Sequence, residues 1–307
     1  MLLPALIDLS DRVTVTFVGR EPGLDYVRPW VHCAMDMERS GWHRLFTSRK
    51  DGEGLPVSKT EIAAAFFNDQ DGVIRNNLRS FLPDATVHIF RSSPLEGENV
   101  HVARYLAECL KSTGLPVDPD RSIEAIQSGI LSKKFDLSGR QKKIVLHPGS
   151  GSLEKNHPPG FWSDLIKRLC SENDFGGLNP FFLLGPAEES LQPYFKDSLK
   201  SIGVQIIYYP DRDRLIKTLN EAAICLGHDS GITHLSAMLG TPTVALFKKS
   251  NAVQWGPLGP NVTVIQNQEP GRELIESILK ASRDFLGMPG MEGLAQPKRQ
   301  PCRRSRS

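Results

Sequence analysis

A loop rich in glycine and serine follows a short apolar run near the middle of the chain. The loop, HPGSGSLEKNHPP, spans His147–Pro159, follows Ile144–Leu146, and carries the hydroxyl donors Ser150 and Ser152 and the charge of Lys155. Its glycines let the backbone approach a ligand, and a helix that begins there offers free amides to an anion. The loop is not a Walker P-loop, because it does not end in Gly-Lys-Ser/Thr. The loop indicates a phosphate-binding segment, with a purely steric strand-to-helix turn as the alternative.

A second candidate segment lies about 75 residues further on, in the stretch ICLGHDSGITHL. Asp229, Ser230 and Gly231 stand between an apolar strand and a helix, so either polar side chain can cap that helix. His234 follows Ser230 by four residues and shares its helix face, where it can donate to a phosphate oxygen. The alternative is a structural cap with a structural histidine. A metal site that includes His228 is not expected, because His228 and Asp229 are adjacent and their side chains diverge.

A third candidate is a pair of carboxylates in the stretch FFLLGPAEES. The apolar run ends at Gly185, and Glu188 and Glu189 come directly after it. A carboxylate at that position can accept hydrogen bonds from ribose hydroxyls. The alternative is a solvated acidic helix start.

The elements that hold these three segments alternate between continuous apolar strands and helices. This pattern predicts a parallel sheet covered on both faces, with ligands bound beyond the carboxyl ends of its strands. The predicted strands are Ile144–Leu146, Phe181–Leu184, Gln205–Tyr208, Ala223–Gly227, Thr243–Phe247 and Val262–Ile265, and the predicted helices are Phe161–Leu169, Arg212–Ala222, Gly231–Leu239 and Glu273–Phe285.

The first half of the chain is less regular. We predict strands at Val13–Val18 and Thr86–Phe90, and helices at Glu61–Phe67 and Val102–Lys111. A length of 307 residues suits two domains. We therefore predict an N-terminal domain over 1–135, a linker at 136–142, a C-terminal domain over 143–286 and a basic, disordered tail over 287–307.

Composition narrows the classes of function. The net charge is +2, and since the last eleven residues carry five positive charges and no acid, the rest of the chain carries −3. A nucleic-acid partner is therefore not predicted. The five cysteines form no C-x-x-C pair, which suits a reducing cytosol. The start lacks the basic region of a signal peptide, and no apolar run approaches the roughly 20 residues of a membrane helix, so the prediction is a cytoplasmic protein.

Taken together, these segments resemble glycosyltransferase family 9, the bacterial heptosyltransferases of the lipopolysaccharide inner core. The family pattern H-P-G-S-G-x-x-x-K-x-W-P appears as HPGSGSLEKNHP, and D-S-G-x-x-H-L-A-A-x-x-G-x-P-x-x-A-L-F-G-x-T appears as DSGITHLSAMLGTPTVALFKKS. The W-G-P-L-G-P stretch Trp255–Pro260 and the GPAEE turn fit as well, and HVARYLAECLKSTGLPVD resembles the helix before the linker. The match runs from about Leu3 to Leu286.

The resemblance implies a GT-B architecture, in which two Rossmann-like domains face each other across a cleft. It implies an inverting, metal-independent heptosyl transfer from ADP-heptose in the C-terminal domain to a lipid-linked saccharide, Kdo-lipid A or a growing core, in the N-terminal domain. It implies no cofactor, a monomer, and peripheral contact with the cytoplasmic face of the inner membrane. By matching position, the donor nucleotide and diphosphate would be held by Ser150, Gly151, Ser152, Lys155, Glu188, Glu189, Asp229, Ser230, Gly231 and His234.

Three departures from the family pattern qualify this interpretation. His157 replaces the tryptophan of the first motif. Lys248 and Lys249 replace the Gly-x that usually follows the last strand of the second motif. Family members also begin with a strand and a G-D-x-L-x-x-x-P-A-L motif whose aspartate is the expected general base. Here the chain starts MLLPALIDL, so the strand and aspartate have no counterpart, and Asp8 and Asp11 should lie further along the next helix.

The catalytic residue is therefore unassigned, and the N-terminal domain is expected to lack its first strand. The alternatives to an active heptosyltransferase are a catalytically impaired nucleotide-sugar-binding member of the family and a member that transfers another sugar. A sugar-nucleotide epimerase would need its own acid and base across the cleft, and the sequence offers no compelling pair.

Overall fold

The computed structural model describes residues 1–39, 41–47, 54–57, 59–131, 143–172, 175, 177–266 and 269–287. The predicted linker at 136–142 and all but the first residue of the predicted tail lie outside these ranges. None of the helices described is both long and apolar enough to cross a bilayer.

The described part of the first half contains short strands and helices. The strands are β1 (Thr16–Gly19), β2 (Cys33–Asp36), β3 (Ile62–Phe66) and β4 (Thr86–Phe90). The helices are α1 (Leu3–Leu9), α2 (Gly23–Val27), α3 (Val73–Phe81), α4 (Val102–Ser112) and α5 (Pro119–Gln127).

The second half alternates strands and helices almost throughout. Its strands are β5 (Lys143–His147), β6 (Asn179–Leu184), β7 (Gln205–Tyr208), β8 (Ala222–His228), β9 (Thr243–Phe247) and β10 (Val262–Gln266). Its helices are α6 (Pro159–Ser171), α7 (Gln192–Ser198), α8 (Arg212–Asn220), α9 (Gly231–Met238), α10 (Ala252–Trp255) and α11 (Arg272–Leu286).

The six strands of the second half form one parallel sheet in the order β10-β9-β8-β5-β6-β7. Ile144 and Leu146 pack with α6 and α11 on one face, while Val145 between them packs with α8 on the other. Burial on both faces explains why these strands are continuous apolar runs. The predicted parallel sheet is confirmed, with strand ends moved by one or two residues.

The order of the strands places the candidate segments side by side. From β5 the chain crosses through α6 to β6 on one side, and from the adjacent β8 it crosses through α9 to β9 on the other. The carboxyl ends of β5 and β8 therefore flank the point where the winding reverses, which is where open α/β sheets bind ligands.

One predicted element of the first half is wrong. Glu61–Phe67 is predicted as a helix, but the structure forms strand β3 there, paired in parallel with β4. Ala63 and Ala65 pack in one hydrophobic cluster and Ala64 in another, on the opposite face. This alternation has the period of a strand. The alanines favour a helix only in isolation, and tertiary pairing decides the outcome.

The remaining strands of the first half form a layer between helices. The pair β1–β2 and the pair β3–β4 are each parallel, and within the described residues no ladder joins one pair to the other. Val18 of β1 and Ala63 share a cluster with α3, whereas Val15, just before β1, and Ala64 share one with α1 and α4. Both pairs are thus covered by helices on two faces, as the predicted two-domain α/β architecture requires.

Candidate functional site

The 147–157 loop leaves the carboxyl end of β5 and turns twice before α6. The Ser150 hydroxyl donates to the Ser152 carbonyl oxygen at 2.8 Å and accepts from the Ser152 amide at 3.3 Å, which closes the first turn. Ser150 is buried, Ser152 is half-buried and Gly151 is exposed between them. The backbone around Gly151 is therefore exposed, while the hydroxyl of Ser150 is already used within the loop.

The two candidate carboxylates have different environments. Glu188 is buried, and its Oε2 accepts from the Gly185 amide at 2.7 Å, which caps the turn Pro186–Leu191. The Glu188 carboxylate also lies against Gly149, so closely that a β-carbon at Gly149 would overlap it. Glu189 is exposed. The structure thus brings Glu188, and not Glu189, against the 147–157 loop.

The second segment forms the start of α9. Ser230 is its N-cap and accepts from the Thr233 amide at 3.3 Å. Gly231 is exposed at the first helical position. The capping interpretation of Ser230 is correct, and the functional interpretation stays a prediction that rests on the other amides of this first helical turn.

Lys155 and Asp229 join the two segments. The Lys155 Nζ lies 2.8 Å from the Asp229 Oδ2, and the His234 Nε2 lies 3.2 Å from the Asp229 Oδ1. Burial alone would raise the pKa of Asp229, but its hydrogen bonds with His234 and Lys155 outweigh burial and hold that pKa below its usual value. The Asp229 carboxylate is therefore ionised, and it holds the side chains of Lys155 and His234 beside the first turn of α9.

The structure shows a role for residues that the sequence marks only as departures from a motif. His157 is buried, with its ring 4.8 Å from that of Phe161 and 5.2 Å from that of His228. The Lys248 Nζ donates to the Asn156 carbonyl oxygen at 3.3 Å, and the Lys249 Nζ lies 2.8 Å from the Glu154 Oε2. The two lysines after β9 thus contact the 147–157 loop near its C-terminal end.

Burial of His157 gives a testable pH dependence. Burial, followed by the nearby charge of Lys248, lowers the pKa of His157 to about 4. An unfolded histidine has a pKa of about 6.5. Between these values the unfolded state binds one more proton, so this residue makes stability fall as the pH falls. In the His157→Phe variant, the slope of unfolding free energy against pH should decrease by about 1.4 kcal/mol per pH unit near pH 5.

The slope is measured by denaturant unfolding from pH 4 to pH 7. The exposed His43, changed to asparagine, is the control and should leave the slope as it is. An unchanged slope in His157→Phe would show that His157 is not held neutral by burial.

The segment after β9 contacts the first half of the chain. The His101 ring caps α4 by accepting from the Ala103 amide at 3.1 Å, and its Nε2 lies 2.8 Å from the Gly256 carbonyl oxygen. The Gln254 side chain donates to the carbonyl oxygens of Leu95 at 2.9 Å and Glu98 at 2.7 Å. These bonds join the segment after β9 to the first half, beside the carboxyl edge of the sheet.

The two acids near the N-terminus have different surroundings. Asp8 lies in α1, and its carboxylate is 3.0 Å from Arg12 and 3.5 Å from Arg121 and accepts from the Asp118 amide at 2.9 Å. The carboxylate is only 4% exposed. Asp11 lies in the exposed turn that follows. Both therefore lie beyond the start of the first helix, as expected from the sequence, and Asp8 has a structural role.

A parallel sheet with two candidate anion-binding segments at its winding reversal is typical of nucleotide-binding α/β proteins. Residues 85–277 match the family model for glycosyltransferase family 9 (heptosyltransferase). Since this match covers well over half of the sequence, the chain belongs to glycosyltransferase family 9, and the resemblance seen in its motifs is confirmed.

One curated relative is lipopolysaccharide heptosyltransferase 1 of Campylobacter coli, which is 25% identical over 190 residues. The alignment covers 56% of this chain and 55% of that protein, so the chain aligns with about half of the relative's length.

Solved structures show the fold over nearly the whole chain. A family 9 glycosyltransferase from Veillonella parvula DSM 2008 has a TM-score of 0.63 at 15% identity and covers 92% of each chain. The E. coli heptosyltransferase WaaC with ADP has a TM-score of 0.63 at 15% identity, covering 92% of this chain and 94% of that one. E. coli ADP-heptose lps heptosyltransferase II gives 0.60 at 17% identity, covering 93% of each. The predicted GT-B architecture is confirmed.

Proposed function

We propose that the second half of the chain binds a nucleotide-diphosphate sugar, ADP-heptose, and that the protein is a heptosyltransferase of lipopolysaccharide core synthesis. The observation that carries the proposal is the 2.8 Å pair between Lys155 and Asp229, which brings a cation from the 147–157 loop to the start of α9. Membership in family 9 supports the sugar-transfer part, and the solved structure of a relative with ADP supports the nucleotide part.

In this proposal the diphosphate lies between the two segments. Lys155 and the free amides at Gly231 and Gly151 would stabilise the charge that develops on it as the sugar leaves. His234 would donate once the diphosphate competes with Asp229 for its Nε2. Glu188, the carboxylate against the loop, would accept from the ribose, and Asp229 would keep Lys155 and His234 oriented towards the donor.

The transfer itself would be a direct, inverting displacement without a metal. The acceptor oxygen forms a bond to the anomeric carbon of the sugar as the bond from that carbon to the phosphate oxygen breaks, and ADP leaves with the electron pair. The acceptor hydroxyl proton passes to a general base. We do not assign that base to Asp8, because its carboxylate is engaged by Arg12 and Arg121.

The acceptor would be a lipid-linked saccharide, bound by the first half across the cleft. In this proposal the protein is a monomer in the cytoplasm, and the lipid-linked acceptor brings it into peripheral contact with the inner membrane. We therefore expect the protein to associate with vesicles that carry Kdo-lipid A more than with vesicles that lack it. Equal co-sedimentation with both would contradict this part of the proposal.

A second candidate is a family member that binds the nucleotide sugar without transferring it. The engagement of Asp8 by Arg12 and Arg121 favours this candidate, since that carboxylate is not free to act as the base. A transfer assay with ADP-heptose and Kdo-lipid A separates the two. Transfer supports the first candidate, whereas ADP binding without transfer supports the second.

A further inference from the structure

The 147–157 loop is closed at its base by one buried ring. His228 is the last residue of β8 and is fully buried. Its Nδ1 lies 2.9 Å from the Pro148 carbonyl oxygen, and its Nε2 lies 2.9 Å from the His157 amide nitrogen. Pro148 and His157 stand at the two ends of the loop. One side chain from a different strand therefore spans the neck of the loop.

The partners of His228 determine where its proton lies. A backbone amide can only donate, so Nε2 must be the accepting, unprotonated nitrogen. A carbonyl can only accept, so Nδ1 must carry the proton. Burial, followed by the neighbouring His157, lowers the pKa of His228 to about 3, which keeps this neutral tautomer at physiological pH. Both nitrogens are used, and neither is left to a ligand.

The ring is also fixed by its aromatic neighbours. Its centroid lies 5.0 Å from the ring of Trp162 in an edge-to-face arrangement and 5.2 Å from the ring of His157. Such contacts restrict the ring to one orientation. The next residue, Asp229, contacts Lys155, two residues before His157 in the same loop. Two consecutive residues, His228 and Asp229, thus contact the loop at Pro148, Lys155 and His157.

We propose that His228 is a positioning residue of the donor site, whose neutral ring sets the 147–157 loop, and with it Lys155, against the start of α9. The inference rests on the proposed function only in calling this site a donor site. The closure of the loop is a property of the free protein and can be measured without any nucleotide.

A graded set of variants tests the two hydrogen bonds separately. His228→Asn keeps a donor at the position of Nδ1, for the Pro148 carbonyl, and loses the acceptor. His228→Gln keeps an acceptor at the position of Nε2, for the His157 amide, and loses the donor. His228→Phe loses both and keeps an aromatic ring against Trp162. Thr241→Val is the matched control, because the Thr241 hydroxyl donates to the buried Leu219 carbonyl at 2.8 Å, at the opposite end of the sheet.

The measurements are amide hydrogen exchange at His157, the dissociation constant for ADP, and the unfolding midpoint. We expect both His228→Phe and Thr241→Val to lower the midpoint, since each removes buried hydrogen bonding. Of these two variants, His228→Phe alone should raise the dissociation constant for ADP, by about tenfold or more, and speed exchange at His157. His228→Gln should keep slow exchange at His157, whereas His228→Asn should not.

The outcomes separate the two proposals. If His228→Phe matches Thr241→Val in exchange and in ADP affinity, the positioning role of His228 is wrong whatever the ligand is. If the unmodified protein does not bind ADP but His228→Phe still frees the loop, the positioning role stands and the proposed donor is wrong.

Discussion

Replacing Lys155 with methionine is expected to raise the dissociation constant for ADP about tenfold. A charge-assisted hydrogen bond contributes about 1.5–3 kcal/mol, and each 1.4 kcal/mol is about a factor of ten. We take the lower end because the Lys155 side chain is 37% exposed and water screens part of its charge. Methionine keeps most of the unbranched stem, so the change removes the charge rather than the packing. Isothermal titration with ADP gives the constant directly.

The control for this experiment is Lys167→Met. Lys167 lies in α6, its side chain is 55% exposed, and its nearest carboxylate, on Asp164, is 4.0 Å away. This variant changes the net charge by the same amount but leaves the 147–157 loop alone, so ADP affinity should stay unchanged. If both lysine variants bind ADP as the original protein does, Lys155 is not part of the donor site.

Replacing Gly149 with alanine is expected to lower the free energy of unfolding by about 1–3 kcal/mol, the usual effect of forcing an extra methyl into a packed site. The new β-carbon would overlap the Glu188 carboxylate. Glu188 cannot turn away freely, because it is buried and caps the Gly185 amide. Since we propose Glu188 as the ribose acceptor, ADP affinity should fall as well. Denaturant unfolding and titration with ADP check the two effects.

Gly151→Ala is the matched control two residues away. Nothing lies within 4 Å of a β-carbon there, so stability should change by less than about 0.5 kcal/mol. A second control combines Gly149→Ala with Glu188→Ala, which removes the overlap, and the two costs should then be less than additive. Equal stability of Gly149→Ala and Gly151→Ala would show that Glu188 does not pack on the loop.

The second half of the fold could be predicted from the sequence because its strands are buried on both faces. Runs such as Thr243–Phe247 are apolar throughout and end at turn residues, so their ends are visible without any partner. In the first half the strand side chains are mostly half-buried, and β3 is rich in alanine. Its identity depends on pairing with β4, which follows it by about twenty residues, and local propensity alone gave the wrong element.

The segments that form the candidate site could be predicted from the sequence, but the contacts between their side chains could not. Parallel strands carry the 147–157 loop and the start of α9 to one edge, so their meeting follows from the order of strands. The 2.8 Å pair of Lys155 and Asp229 joins residues 74 positions apart, and the sequence does not show that this lysine and this carboxylate meet. From the sequence, His228 could be considered only as a metal ligand, because the residues that it contacts are distant along the chain.

The measurement that tests the central claim most directly is hydrogen–deuterium exchange of the protein with and without saturating ADP. The account predicts slower exchange in two separate segments, 147–157 and 229–234, because the diphosphate would lie between them. Weaker protection is expected around Glu188. Protection confined to another part of the chain, or no change in these two segments at saturation, would contradict the proposed donor site.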